Sequence, residues 1–133
     1  MVTVAVAGTG GWGKNLVRTF AALPDCRLRT ICDLKSDVLE KHKAVYPDLE
    51  TTRDFQDVLA DDRIDAVVIA TPAPMHFRMA QQALEAGKHV YVEKPMTLAV
   101  DDAEALVAAA DKAGLTVMVG HLLEYHPLSL IHI

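Results

Sequence analysis

The sequence predicts an α/β fold built on a doubly wound, parallel sheet of six strands. Two observations lead there. Short runs rich in β-branched residues alternate with longer segments of helical periodicity, the pattern that builds parallel strands through right-handed crossovers. Those runs are also almost continuously apolar, as in Ala66-Val67-Val68-Ile69-Ala70. A strand covered by helices on both faces has no solvent side to make polar, whereas a sandwich strand would alternate.

Taken in order, strands are expected at Val2 to Ala7, Arg27 to Cys32, the short pair Thr51-Thr52, Ala66 to Ala70, His89 to Val92 and Thr116 to Val119. Between them Trp12, Leu16, Val17 and Phe20 recur at helical spacing, as do Met75, Met79, Ala83 and Leu84, and then Ala103, Leu106, Val107 and Ala110. Asp37 to Tyr46 and Asp54 to Leu59 read as further helices. Gly87 and Gly114 stand where a helix ends on a residue of positive φ. The apolar stripes are read as core that holds the sheet, with no functional role.

At 133 residues, 51% apolar and 23% charged, the chain has the size and composition of one folded domain. A formal charge of −5 offers no long-range attraction to phosphate backbones or anionic lipid, so neither nucleic acid nor a membrane is expected as a partner. No apolar run approaches the roughly 18–20 residues that span a bilayer, and Met1-Val2-Thr3-Val4 lacks the basic lead-in of a signal peptide. The expected compartment is the cytoplasm. Cys26 and Cys32 show neither metal-ligand spacing nor the density of a disulfide scaffold, and are read as buried, reduced thiols.

The first loop carries the chemistry. Gly8-Thr9-Gly10-Gly11-Trp12-Gly13 follows the first strand directly and opens the first helix, which is G-x-G-x-x-G. Gly8 permits the tight turn, Gly10 lets a diphosphate approach the backbone, and Gly13 lets helix and strand pack closely. The N–H groups of Gly11 and Trp12, at the positive end of a helix, then hold the phosphates. Asp33 ends the second strand about 20 residues on, as the fingerprint of a dinucleotide-binding Rossmann domain requires. Its carboxylate accepts hydrogen bonds from the adenine ribose and repels the extra phosphate of NADP, which favours NAD as the cofactor. The plainer reading of Asp33 is a cap on the loop before the next helix. Gly8 to Asn15 also spells G-x-x-x-x-G-K-N, one residue short of a P-loop. Asn15 cannot supply the hydroxyl that a P-loop sets on magnesium, and Asp33 has no task there.

Ligands of open parallel sheets sit beyond the carboxyl ends of strands, so the loops after the fourth and fifth strands are the next candidates. After the fourth comes Thr71-Pro72-Ala73-Pro74-Met75-His76, a loop stiffened by two prolines. His76 reads either as a helix-packing residue or as part of the site. After the fifth comes Glu93-Lys94-Pro95, a carboxylate and an ammonium with a proline constraining the backbone.

These motifs, in this order, resemble the amino-terminal domain of the glucose–fructose oxidoreductase and inositol dehydrogenase family, across nearly the whole chain. The resemblance implies that Lys94 is catalytic, assisting proton removal from a substrate hydroxyl as hydride passes to nicotinamide. An ammonium beside a cationic ring gives up its proton more readily and can also stabilise a developing alkoxide. It further implies a cis bond between Lys94 and Pro95, Glu93 near the nicotinamide ribose, and Thr71, Pro72 and His76 along the nicotinamide side. Trp12-Gly13-Lys14-Asn15-Leu16-Val17-Arg18 and Gly120-His121-Leu122-Leu123-Glu124-Tyr125-His126-Pro127 look more narrowly like the family's nucleotide-sugar 3-dehydrogenases, with His121 added to the cofactor contacts. Those enzymes oxidise a UDP-sugar hydroxyl. His121, Glu124 and His126 match neither zinc-helix spacing, and no metal is expected.

Residues 1–120 are expected to form the dinucleotide-binding domain and 121–127 the start of a connection to a substrate domain that the resemblance implies and this chain lacks. That domain would bring the sugar or nucleotide-sugar substrate, and the full-length protein is expected to form a homo-oligomer. Residues 128–133 read as one translation of CTG TCT CTT ATA CAC ATC, which resembles a transposase adapter used in sequencing libraries, and so as a non-native tail. A non-catalytic NAD(H)-binding sensor is the alternative to a dehydrogenase, and Lys94 separates the two, since a sensor has no use for a lysine at the hydride site.

Overall fold

The computed structural model describes residues 1–130. Its strands are β1 (Val2–Ala7), β2 (Cys26–Cys32), β3 (Glu50–Thr52), β4 (Ala66–Ile69), β5 (His89–Val92) and β6 (Val117–Val119). The helices are α1 (Gly13–Ala22), α2 (Ser36–Val45), α3 (Phe55–Ala60), α4 (His76–Glu85), α5 (Val100–Ala113) and the single turn α6 (Pro127–Leu130). The expected tail therefore lies partly outside the described residues, at 131–133. Among the described residues no helix is long and apolar enough to cross a membrane.

All strand pairs are parallel, in the order β3-β2-β1-β4-β5-β6. The chain winds outward from β1 to β3 and then returns to build β4 to β6 on the other side. At that reversal the connections leave β1 and β4 in opposite directions, which opens a crevice at their carboxyl ends.

Alternation decides the layers. Ala5, Ala7, Val67 and Ile69 pack on one face with Val58 of α3, Met79 and Ala83 of α4 and Leu106 of α5. Val6, Val68 and Ile31 point the other way, onto Leu16 and Val17 of α1 and Leu39 of α2. Each fully buried Val or Ile stabilises the sheet by about 1.5–3 kcal/mol. Positive φ occurs at Gly87 and Gly114, where α4 and α5 end.

Three members of the expected stripes leave the core. Trp12 is 49% exposed, because it precedes α1 and turns its indole along the carboxyl edge of the sheet. Met75 is 41% exposed on the short turn before α4, and Val107 lies on the outer side of α5. Cys26 is only half-buried, at the very start of β2, whereas Cys32 is buried. Burial, and then the charges of Asp33, Asp54 and Asp57, push the Cys32 thiol up to about 11. It is an inert thiol in the floor of the crevice.

β1 pairs Val4 with Leu28 but Ala5 with Thr30, so Arg29 is an extra residue in β2. Its guanidinium bonds to Glu50 at 2.7 Å and to Asp61 at 3.0 Å. Asp61 also accepts three bonds from Arg63, one from its main-chain N–H and two from its guanidinium, and the Asp61 main-chain carbonyl, with that of Ile64, receives the buried Lys88 ammonium. The Arg63 hydrogen bonds outweigh partial burial and, with Arg29, hold the Asp61 carboxyl well below the usual carboxylate range. A lowered folded-state value means stabilisation that is complete above the unfolded carboxylate range and lost as pH falls through the folded value. Asp61→Asn should therefore lower the melting temperature at neutral pH and flatten the loss of stability below about pH 4, as thermal melts across that range would record.

Candidate functional site

The glycine turn between β1 and α1 is shaped by close backbone approach. Gly8 has φ +85°, and a Cβ there would stand 2.6 Å from the Ala70 carbonyl carbon and the Thr71 nitrogen. A Cβ on Gly13 would lie 1.7 Å from the Gly8 carbonyl oxygen, so the tightest approach is within the turn itself. Gly10 and Gly11 face open space, with nothing within 4 Å of an added Cβ. The N–H of Gly8 bonds to Cys32, and that of Lys14 back to Gly10. Among the described residues, the N–H groups of Gly11 and Trp12 meet no protein acceptor, which is the geometry that receives an anion at a helix start.

Asp33 performs two tasks at once. One carboxylate oxygen accepts from the Thr9 N–H at 2.9 Å and the Thr9 hydroxyl at 3.3 Å, and the other accepts from the Lys35 N–H at 2.9 Å. A carboxylate has about four acceptor positions, so capacity is left for a ribose hydroxyl after these three. Capping the loop and reading a ribose are thus compatible here. From α2, His42 Nε2 lies 2.8 Å from the Thr9 carbonyl, a second tie on the same buried residue.

A cleft of about 560 Å³ opens at the switch point between β1 and β4. Gly8, Gly10, Gly11, Asp33, Thr71 and Pro72, all expected site residues, line it together. Met75, Met79 and Phe55 supply an apolar wall, which corrects the reading of the Met stripe as core alone. Arg53 and Lys35 stand at the same cleft.

Trp12, Gly13, His76, Glu93, Lys94 and His121 do not line this cleft: Gly13 packs on Gly8 and Ala70 at the ends of β1 and β4, and the others stand toward β5 and β6. The Lys94–Pro95 bond is cis, and Lys94 is exposed. Glu93 is buried, and one of its oxygens accepts from Trp12 Nε1 at 3.1 Å and from the Tyr91 hydroxyl at 3.2 Å. A Cβ on Gly120 would come within 2.7 Å of that same oxygen and of the Tyr91 hydroxyl. The carboxylate thus joins the glycine turn to β5 and closes against β6. His76 is 1% exposed, with Nδ1 2.8 Å from the Pro95 carbonyl and Nε2 2.7 Å from the Thr71 carbonyl. Both ring nitrogens face main-chain carbonyls, so the ring sits behind the walls instead of turning a polar atom into the crevice. His121 is exposed just past β6.

A model of the oxidoreductase family with an NAD-binding Rossmann fold, GFO_IDH_MocA, matches residues 2–121. The chain belongs to this family. The 4-carboxy-2-hydroxymuconate-6-semialdehyde dehydrogenase of Sphingobium is 32% identical over 124 residues, which cover 93% of this chain and 39% of that protein. The structure of scyllo-inositol dehydrogenase from Lactobacillus casei, with bound NAD(H) and scyllo-inositol, superposes with a TM-score of 0.88 at 26% identity, over 96% of this chain and 38% of that one. KijD10, a 3-ketoreductase from Actinomadura kijaniata in complex with NADP and TDP-benzene, gives a TM-score of 0.90 at 28% identity, over 98% and 40%. The chain thus spans about two-fifths of the length of these relatives.

As an NAD-binding domain of this family, the chain offers the cofactor a cradle its own residues explain. The open faces of Gly10 and Gly11 and the free N–H groups beside them suit the diphosphate, and Asp33 suits the adenosine ribose. Sequence reasoning missed Thr9, His42 and Tyr91. Only Thr9 lay inside a recognised motif, at a position the fingerprint leaves free. His42 and Tyr91 gave no signal, because what they touch is distant in the chain.

Two outcomes follow from this geometry. Gly10→Val should fold normally, because its side chain enters open space, yet lose NAD binding in a fluorescence titration of Trp12. Gly13→Ala should instead lower the melting temperature, since its Cβ meets a carbonyl oxygen that cannot yield without opening the turn. Burial first, and then the Glu93 charge and hydrogen bond, push the Tyr91 phenol up to about 12. An ultraviolet titration of the three tyrosines should show one late transition, and Glu93→Gln should bring it down.

Proposed function

We propose that the longer protein carrying this domain is a dehydrogenase that oxidises a secondary hydroxyl of a sugar or nucleotide sugar, with Lys94 as the catalytic residue. NAD, when bound, supplies the hydride acceptor. The carbon that bears the hydroxyl loses its hydride, the hydroxyl loses its proton to the lysine side of the crevice, and a ketone results. Lys94 accepts that proton from a hydroxyl set beside it or, as the ammonium, stabilises the alkoxide as it forms.

The observation that carries this reading is the Lys94 turn. An exposed lysine sits at the carboxyl end of β5, beside a carboxylate tied to the glycine turn. A sensor has no need of such a residue there. Two solved relatives, one bound to scyllo-inositol and one to a TDP-linked ligand, support polyhydroxylated and nucleotide-linked substrates as a class. Within that class we favour a UDP-sugar oxidised at its 3-hydroxyl, on the residues around Trp12 and from Gly120 to Pro127.

The test uses the full-length protein and a panel of UDP-sugars and inositols, followed by NADH formation and product mass. A 3-keto UDP-sugar is the expected product. Lys94→Ala should lower kcat by about 10²–10⁴-fold with NAD affinity nearly unchanged. Equal loss of both would overturn the assignment of Lys94, and no turnover with any member of the panel would favour the sensor.

A further inference from the structure

His76 is the first residue of α4 and belongs to neither the lined cleft nor the lysine turn, yet it touches the main chain of both walls. Its Nε2 meets the carbonyl of Thr71, the residue at which the β4 strand gives way to the proline-rich loop lining the cleft. Its Nδ1 meets the carbonyl of Pro95, one residue beyond Lys94. The Pro95 nitrogen carries no hydrogen, so the turn cannot be anchored there by an N–H, and its carbonyl is a point at which the protein can hold it. Both partners are carbonyl oxygens, so the ring donates to both only when each nitrogen carries a hydrogen, and at 1% exposure water replaces neither bond.

We propose that His76 is a positioning residue for Lys94: its buried ring ties the Pro95 carbonyl to the Thr71 carbonyl and so sets where the ammonium stands over the crevice. The role of Lys94 in the reaction is the reading given above; the tie itself is a property of this chain. Removing the ring frees one end of the lysine turn. Glu93, bonded to Trp12 and Tyr91, still holds the other end, so the glycine turn and the Asp33 side keep their geometry. The consequence is a displaced lysine with the glycine turn and Asp33, the diphosphate and ribose side of the cradle, intact.

The experiment uses this chain with NAD as the probe. Binding is read from Trp12, its single tryptophan. The position of Lys94 is read from the ¹³Cε resonance of labelled lysine, assigned with Lys94→Arg. His76→Leu should bind NAD within about threefold of the parent while moving the Lys94 resonance and its response to NAD. His76→Gln, whose amide nitrogen offers two N–H donors to the two carbonyls, should restore the resonance toward its original place. An unmoved Lys94 resonance in His76→Leu overturns the proposal, as does a glutamine variant displaced as far as the leucine variant.

Should the leucine variant fail to fold, the parent protein still decides. Ring N–H signals of His76 that exchange with water at least about tenfold more slowly than those of exposed His121 and His126 support the tie, and equally fast exchange sinks it. Failure of the functional reading is a separate event. If Lys94→Ala leaves turnover of the full-length enzyme intact, the dehydrogenase role of Lys94 falls while the resonance data still report whether His76 holds the turn.

Discussion

The N–H and hydroxyl of Thr9 both bond to Asp33, and the shape of the crevice depends on that tie. Thr9 sits in the glycine turn after β1, whereas Asp33 follows β2, so a single carboxylate fastens the turn to the neighbouring strand's exit. With Thr9 held, and its carbonyl engaged by His42, the turn can bring Gly8 against Ala70 and leave the Gly11 and Trp12 N–H groups facing outward. Buried hydrogen bonds to a charged group contribute roughly 1.5–3 kcal/mol, and here they also set the direction of donors that a phosphate needs.

The two halves of the crevice are built by different means. On the β2 and β4 side the walls are side chains, with Asp33 as the polar group and Met75, Met79 and Phe55 as an apolar slot. On the β5 and β6 side the walls are held from behind. Glu93 draws together Trp12 and Tyr91, and His76 draws together two carbonyls. Such bracing leaves Lys94 exposed at the edge while the residues on either side of it are held.

Much of the scaffold was legible in the residues alone. The six strands appear within a residue or so of their expected bounds, and the central pair β1 and β4 are the plainest, because doubly buried strands of a parallel sheet are near-continuously apolar. Asp54 illustrates the remaining error. Expected as the first residue of α3, it is the cap, its side chain accepting from the Gln56 N–H. The stripes misled where a helix begins beside the crevice. Trp12 and Met75 have core periodicity, but the chain is still turning there, and their side chains face the site.

What the sequence determined by itself was local and repetitive: strand and helix periodicity, the glycines that a tight turn demands, and the acidic residue a strand later. These follow from sterics and burial over a few residues at a time. What only the tertiary structure decided was which polar atoms meet across long stretches of chain. Trp12 finds Glu93 from 81 residues away, and His42 finds Thr9 from 33. Hydrogen bonds act over about 3 Å, and nothing in the spacing of residues along a chain records which carbonyl a folded ring will reach.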